Sequence, residues 1–315
     1  MYTQEQHVSG FAQQIIGQVR KVVVGKDQVL IWVLAAILAK GHILLEDIPG
    51  VGKTTMALAF SKVLGLDCSR VQFTPDVLPS DVTGYSVLQQ GKMVYQPGAV
   101  LCNLFMADEL NRATSRTQAA LLEAMEEGQV TVDGVSHPIP KPFVVMATQN
   151  PTGAAGPQML PDSQMARFAV RLSMGYPSHQ DEIAMVLHRQ EGNPLDRLTP
   201  VMTRGQLAEL QKEVAATYIG EAVVSYIVSL IAATRNHEDL QRGASPRATL
   251  SVTAMAKAIA RLRGRDYVIP ADVREVFVNT VAHRLLLSPA AEARDLTAED
   301  VAKKILGAVK APVLR

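Results

Sequence analysis

Cysteine is nearly absent: Cys68 and Cys102 are the only two in 315 residues, with no CxxC pair and no companion histidine cluster. That excludes a disulfide framework and a thiolate zinc site, and leaves two core thiols as the expectation. An excess of one charge is absent too. Lys and Arg number 31 against 30 Asp and Glu, a net charge of +1, and the basic residues are scattered. The electrostatic footprint of a nucleic-acid binder is therefore missing. Aromatics, at 5%, argue against a stacking platform for single strands. Long apolar runs are missing as well: the most apolar stretch, residues 29–39, is about a dozen long, against the ~20 needed to cross a bilayer. The opening MYTQEQHVSG lacks the charged and apolar regions of a secretory signal. No membrane span and a cytoplasmic location are the expectations.

What is present is an ordinary globular balance, with 48% apolar and 19% charged residues, enough to bury a sizeable core. The length suits a nucleotide-binding core and one smaller domain. From His42 the chain reads HILLEDIPGVGKTTMALAFSKVL, an apolar run, a Gly and Pro loop, then a helical period. In such a strand–loop–helix unit Gly50, Val51 and Gly52 let backbone amides curl toward phosphate oxygens. Lys53 would neutralise the outer phosphates and Thr54 would ligate Mg²⁺. The P-loop pattern has Gly at its first position, where this chain has Asp47; Pro49 stiffens the turn.

The run LCNLFMADELNRA narrows the class. Residues 104–107 read as a buried parallel strand that delivers Asp108 and Glu109 at its carboxyl end, where open α/β sheets place ligand chemistry. Asp108 would organise the Mg²⁺ shell, and Glu109 would act as general base on the attacking water. The guanine-specifying NKxD pattern does not occur, so ATP is the expected nucleotide.

Ser115-Arg116-Thr117-Gln118 has the form of a capping box, opening a helix that ends at Gly128. The Asp133-Gly134 pair within QVTVDGV predicts a hairpin, and a second is expected to turn near Gln90 and Gly91, between Gly84 and Gly98. Residues 142–150 read as another buried strand, which would bring Asn150 beside the acidic pair, to hold the lytic water or sense the γ-phosphate. Arg167 follows at the expected edge of the core, facing a neighbouring subunit. Beyond Gly175 the strand signals nearly stop. Helical periods run near 179–191, 203–215, 220–236, 246–263, 270–287 and 297–308, which divides the chain into domains at 1–175 and 176–315. Ser245 is the expected N-cap of one of these helices, with Pro246 at its first position and Arg247 in the first turn. A cation there opposes the helix dipole, and a nucleotide γ-phosphate is the anion that would balance it.

With these residues in view, the chain resembles the MoxR family of AAA+ ATPases. The matching stretches are LLEDIPGVGKTT, VQFTPDVLPSDVTG, ADELNRATSRTQAALLEAMEEGQVTVDG, ATQNP, LPDSQMARF and GASPRA. The resemblance implies an α/β P-loop core, a parallel sheet with flanking helices and a hairpin insert near residues 84–98, followed by an all-α lid. It also implies a ring of identical chains, six by expectation, with ATP and Mg²⁺ between subunits. By position Pro49, Gly50, Val51, Gly52, Lys53, Thr54 and Thr55 look like the Walker A contacts, and Asp108 and Glu109 like the Walker B pair. Asn150 looks like sensor 1, Arg167 like the arginine finger and Arg247 like sensor 2; Val24 and Gly25 resemble the segment near adenine. Family members usually carry Asp before the finger, where this chain has Ala166. A chaperone-like motor that remodels protein complexes, metallo-enzyme maturation included, is the implied function. A protein client and a separate von Willebrand factor A-domain protein are the implied partners. A DNA-translocating motor and a nucleotide-gated scaffold with little turnover are the alternatives.

Overall fold

The computed structural model describes residues 9–150, 160–190 and 192–313. Two helices come first. In α1 (Gly10–Val19) the buried positions are Ala12, Ile15, Ile16 and Val19, one stripe of a 3.6-residue period. In α2 (Asp27–Leu38) eight of twelve residues are buried, so it is enclosed on nearly all sides. The core then runs β1 (Ile43–Glu46), α3 (Lys53–Val63), β2 (Cys68–Gln72), α4 (Pro79–Thr83), a hairpin of β3 (Gly84–Gln89) and β4 (Lys92–Pro97), β5 (Leu104–Asp108), α5 (Ser115–Glu127), a hairpin of β6 (Gln129–Val132) and β7 (Val135–Pro138), β8 (Val144–Gln149), α6 (Asp162–Met165) and β9 (Val170–Leu172).

Five of these strands form one parallel sheet in the order β2-β5-β8-β1-β9. Alternation along each strand divides the core between two faces. Ile43, Leu45, Leu104, Met106, Val144, Met146, Val170 and Leu172 join one cluster with α1, α2 and α3. Leu44, Phe105, Ala107, Val145 and Ala147 join the other, with Leu121, Leu122 and Met125 of α5. The carboxyl ends of β1, β5 and β8 therefore open at one edge, side by side.

The later helices are α7 (His179–Gln190), α8 (Arg204–Ala216), α9 (Glu221–Arg235), α10 (Pro246–Leu262), α11 (Pro270–Val281), α12 (Pro289–Glu292) and α13 (Ala298–Ala308). The buried faces of α8, α9, α10, α11 and α13 share the cluster of the first sheet face and α2, so these helices are packed onto the core. No helix among the described residues is long and apolar enough to cross a membrane.

Two local expectations are corrected. Thr114, not Ser115, is the N-cap of α5, its hydroxyl accepting from Thr117 N–H. The helix expected over 270–287 stops at Val281. There the chain tightens into a single 3₁₀ turn, because the His283 ring and the Arg284 guanidinium both turn inward to the Phe168 carbonyl. Leu286–Leu287 (β11) then pairs antiparallel with Leu240–Arg242 (β10), a short ribbon inside the helical lid.

Both hairpins form as read. Gln90 and Gly91, and Asp133 and Gly134, occupy the two turn positions with positive φ (49° and 79°; 50° and 77°), the geometry of a type I′ connection. The first hairpin closes where Gly98 meets Gly84: a Cβ on Gly98 would lie 2.2 Å from the Gly84 nitrogen. The two hairpins touch through Tyr95 and His137, whose rings stack at 3.6 Å.

Candidate functional site

The loop between β1 and α3 turns on Gly50 and Gly52, at φ 87° and 95°, values that a side chain resists. Lys53 opens α3 and is buried, and its ammonium folds back onto the loop, donating to the Asp47 and Ile48 carbonyls at 2.6 and 3.2 Å. Burial lowers its affinity for the proton; Asp47, Asp108 and Glu109 oppose that shift. Asp47 explains itself in the fold. Its carboxylate accepts from Ser173 Oγ at 2.8 Å, from Gly175 N–H at 3.1 Å and from Met174 N–H. The residue at the first loop position thus ties the loop to the chain leaving β9.

Asp108 ends β5, and Oδ1 accepts from Thr148 Oγ1 at 2.6 Å on the neighbouring strand. The same Thr148 oxygen accepts the Glu109 N–H at 2.8 Å, so one hydroxyl positions both acids. Glu109 sits at φ 54°, an uncommon value for a residue with a side chain, and its carboxylate is met by Arg112 at 2.9 Å. Asp108 Oδ2 faces Thr54 Oγ1 at 3.4 Å and takes a hydrogen bond from Arg70 at 2.8 Å. Thr148 and Arg70 were not singled out in the sequence. Thr148 hides inside an apolar run, and Arg70 lies just before the VQFTPDVLPSDVTG stretch, outside any pattern.

Lys53, Thr54, Thr55, Arg70, Asp108, Glu109, Thr148 and Asn150 line one cleft of about 360 Å³. It adjoins a larger hollow of about 570 Å³, which shares Pro49, Gly50, Gly52 and Thr55 and is walled by Val22, Val23, Val24, Val51, Met174, Tyr176 and Met185. A polar, Lys-bearing half beside an apolar half suits a phosphate chain joined to a flat base. Gly25 lies under α7: a Cβ there would fall 2.1 Å from Asp181 Oδ2. The described residues contain no group of three or more His, Cys, Asp or Glu able to hold a metal alone. Thr54 and Asp108 offer one hydroxyl and one carboxylate, a donor set that fits Mg²⁺ completed by phosphate oxygens and water.

Arg167 and Arg247 line neither hollow. They meet in a third, of about 330 Å³, between core and lid. Both pair with the carboxylate of Glu126 on α5, Arg167 at 3.2 Å and Arg247 through its other oxygen. Arg167 also donates to the Leu122 carbonyl at 2.6 Å, an anchorage that needs nothing from Ala166. The anion balancing Arg247 in this chain is thus Glu126. Behind them Arg284 donates to the Phe168 carbonyl at 2.8 Å and to Ser251 Oγ at 2.9 Å. It therefore spans from the neighbour of Arg167 to the helix that carries Arg247, and burial lowers its pKa to about 10.

Residues 42–170 match the ATPase family associated with various cellular activities (AAA), and residues 232–305 match the AAA lid domain. The uncharacterized protein YeaC of Bacillus subtilis is 45% identical over 302 residues, covering 95% of this chain and 94% of its own. Chaperone MoxR1 of Mycobacterium tuberculosis is 40% identical over 311 residues, covering 95% and 82%. The crystal structure of an assigned ATPase from Cytophaga hutchinsonii superposes with a TM-score of 0.90 at 34% identity, over 96% of each chain. These likenesses span both the core and the helical lid, and this chain belongs to the MoxR family of AAA+ ATPases.

Proposed function

We propose that the protein is an ATP-hydrolysing, chaperone-like motor that works as a ring of identical chains and remodels protein complexes. The observation that carries this reading is the division of the candidate site residues between two hollows. Lys53, Thr54, Asp108, Glu109 and Asn150 share one cleft, while Arg167 and Arg247 gather in a separate hollow on the same chain. A site that hydrolyses ATP with an arginine finger must then be completed by a second copy. The dividing line between core (1–175) and lid (176–315) is part of the same proposal.

In the proposed cycle the glycine loop and Lys53 bind the phosphates, and Val24, Val51 and Tyr176 enclose the base. Thr54 and Asp108 would hold Mg²⁺, which supplies charge neutralisation on the phosphate oxygens. Thr148 keeps Asp108 and the backbone of Glu109 in register. Glu109, once released by Arg112, orients and deprotonates the attacking water, and Asn150 holds that water against the phosphate. Arg167 and Arg247 of the neighbouring copy stabilise the charge that builds as the phosphoryl group leaves. A protein client is favoured by the hairpin β3–β4, where Leu88 and Met93 stand opposite each other and are both exposed, an apolar pair near the hairpin tip.

The deciding experiment is the ATPase rate per subunit against protein concentration, with Lys53→Ala as the blank. A cooperative rise is expected. A flat, non-zero rate would mean that one chain holds the whole site. Glu109→Gln should reduce turnover ~10²-fold or more while sparing nucleotide binding; unchanged turnover would remove Glu109 from the role of base.

A further inference from the structure

Asp108, as the chain stands, is not waiting with an open carboxylate. Arg70 lies on β2, the edge strand, where the register sets it beside Met106 and sets Gln72 beside Asp108. Side chains two residues apart on a strand share a face, so the long stem of Arg70 runs along β2 and its guanidinium arrives at Asp108. It donates to Asp108 Oδ2 at 2.8 Å and is steadied by Gln72 Oε1 at 3.1 Å. That oxygen is the one Thr54 Oγ1 faces. The guanidinium thus occupies the oxygen that a dication shared by Thr54 and Asp108 would need.

We propose that Arg70 is a placeholder cation: it holds Asp108 in the absence of metal, must leave when Mg²⁺ enters with nucleotide, and so sets the Mg²⁺ requirement of the site. The inference rests on reading this cleft as a Mg²⁺–nucleotide site. Two facts make the exchange mechanically simple. The Asp108 side chain is only 12% exposed and locked by Thr148, whereas that of Arg70 is 48% exposed, so the arginine is the partner free to swing into solvent. Lys53 already brings one positive charge to the cleft. A dication and a guanidinium on one carboxylate oxygen would repel strongly at that range. While Arg70 is in place, and Arg112 is on Glu109, neither acid of the pair is left as a bare charge beside the other.

The test is the Mg²⁺ concentration that half-saturates binding of a fluorescent, non-hydrolysable ATP analogue, followed by polarisation in the full chain. With Arg70→Gln, which keeps hydrogen bonding and removes charge, this concentration should fall about tenfold. Arg70→Met, which keeps the apolar stem, should behave alike, and Arg70→Lys should stay nearer the parent. Binding of the analogue in EDTA should not weaken in Arg70→Gln. An unchanged or higher Mg²⁺ requirement in both charge-removing variants overturns the placeholder role, and so does a loss of metal-free binding, which would make Arg70 a direct phosphate contact. Failure of the parent protein to bind the analogue under any condition would instead sink the nucleotide reading of the cleft.

Discussion

Asp47 stands where the general phosphate-loop pattern has glycine, and its contacts account for the exchange. Three donors, Ser173 Oγ and the N–H groups of Met174 and Gly175, converge on one buried carboxylate. Asp47→Ala would leave them unsatisfied, and hydrogen bonds to an ionised group are among the costlier ones to lose. The expected destabilisation is about 2–4 kcal/mol, read from urea unfolding. A loss below about 1 kcal/mol would show that water replaces the carboxylate. Thr148 is the companion case. Thr148→Val keeps the shape and removes the hydroxyl that holds Asp108 and the Glu109 N–H. Turnover should drop about tenfold or more with nucleotide affinity nearly unchanged; equal rates would mean that strand pairing alone fixes the acids. That Lys53, Thr54 and Asp108 would come together in one cleft was readable because a phosphate-loop pattern followed by a strand-ending acid is recognisable from residue types and spacing alone. Thr148 and Arg70 were not, because each works through a partner that only the order of strands brings near.

At the scale of elements, helix and hairpin signals were the most legible. Asp-Gly and Gln-Gly turns leave the backbone few alternatives, and the stripe of α10 is set by its own period. What stayed hidden were ties between elements. His42 lies just before β1, accepts the Val145 N–H of β8 on Nδ1 at 3.0 Å and meets the Met125 carbonyl at the end of α5 through Nε2 at 3.1 Å. That pair of partners requires the neutral ring with its proton on Nε2. Burial lowers its pKa from 6.5 to about 4, only partly opposed by the Met125 carbonyl. Between those values the unfolded chain binds the extra proton and the folded one does not, so stability is complete above about pH 6.5 and falls as pH drops toward 4. From pH 7 to pH 5 this one ring should cost up to about 2 kcal/mol. His283 is shifted the same way, burial first and Arg284 next, and adds to the parent's slope. The contribution of His42 is therefore read as a difference: His42→Gln should lose about 2 kcal/mol less than the parent over that interval. Parallel losses in the two proteins would mean that the ring is solvated when it protonates.

The arginines raise a question that only the assembled molecule answers. Arg167 comes from the core and Arg247 from the lid, yet both reach one carboxylate, and Arg284 bridges the segments that carry them. Since α10 and α2 share one hydrophobic cluster, core and lid should turn together, keeping the pair in register as one unit. A head-to-tail contact that presents this unit to the neighbour's phosphate cleft is heterologous, and such contacts close into rings when the rotation permits. Sequence could nominate each arginine by its local pattern but not say which cleft it serves, because that depends on how the lid docks. A mixing experiment decides it. Lys53→Ala destroys the phosphate loop and leaves the arginines; Arg167→Ala with Arg247→Ala does the reverse. Each protein alone should be nearly inactive. Mixed in equal amounts, a random ring places an intact loop beside an intact arginine pair at about one junction in four, so about a quarter of the parent's ATPase rate should return. No recovery, with mixed rings confirmed by mass, would mean that the arginines act on their own chain, and that the lid must swing away from Glu126 to deliver them.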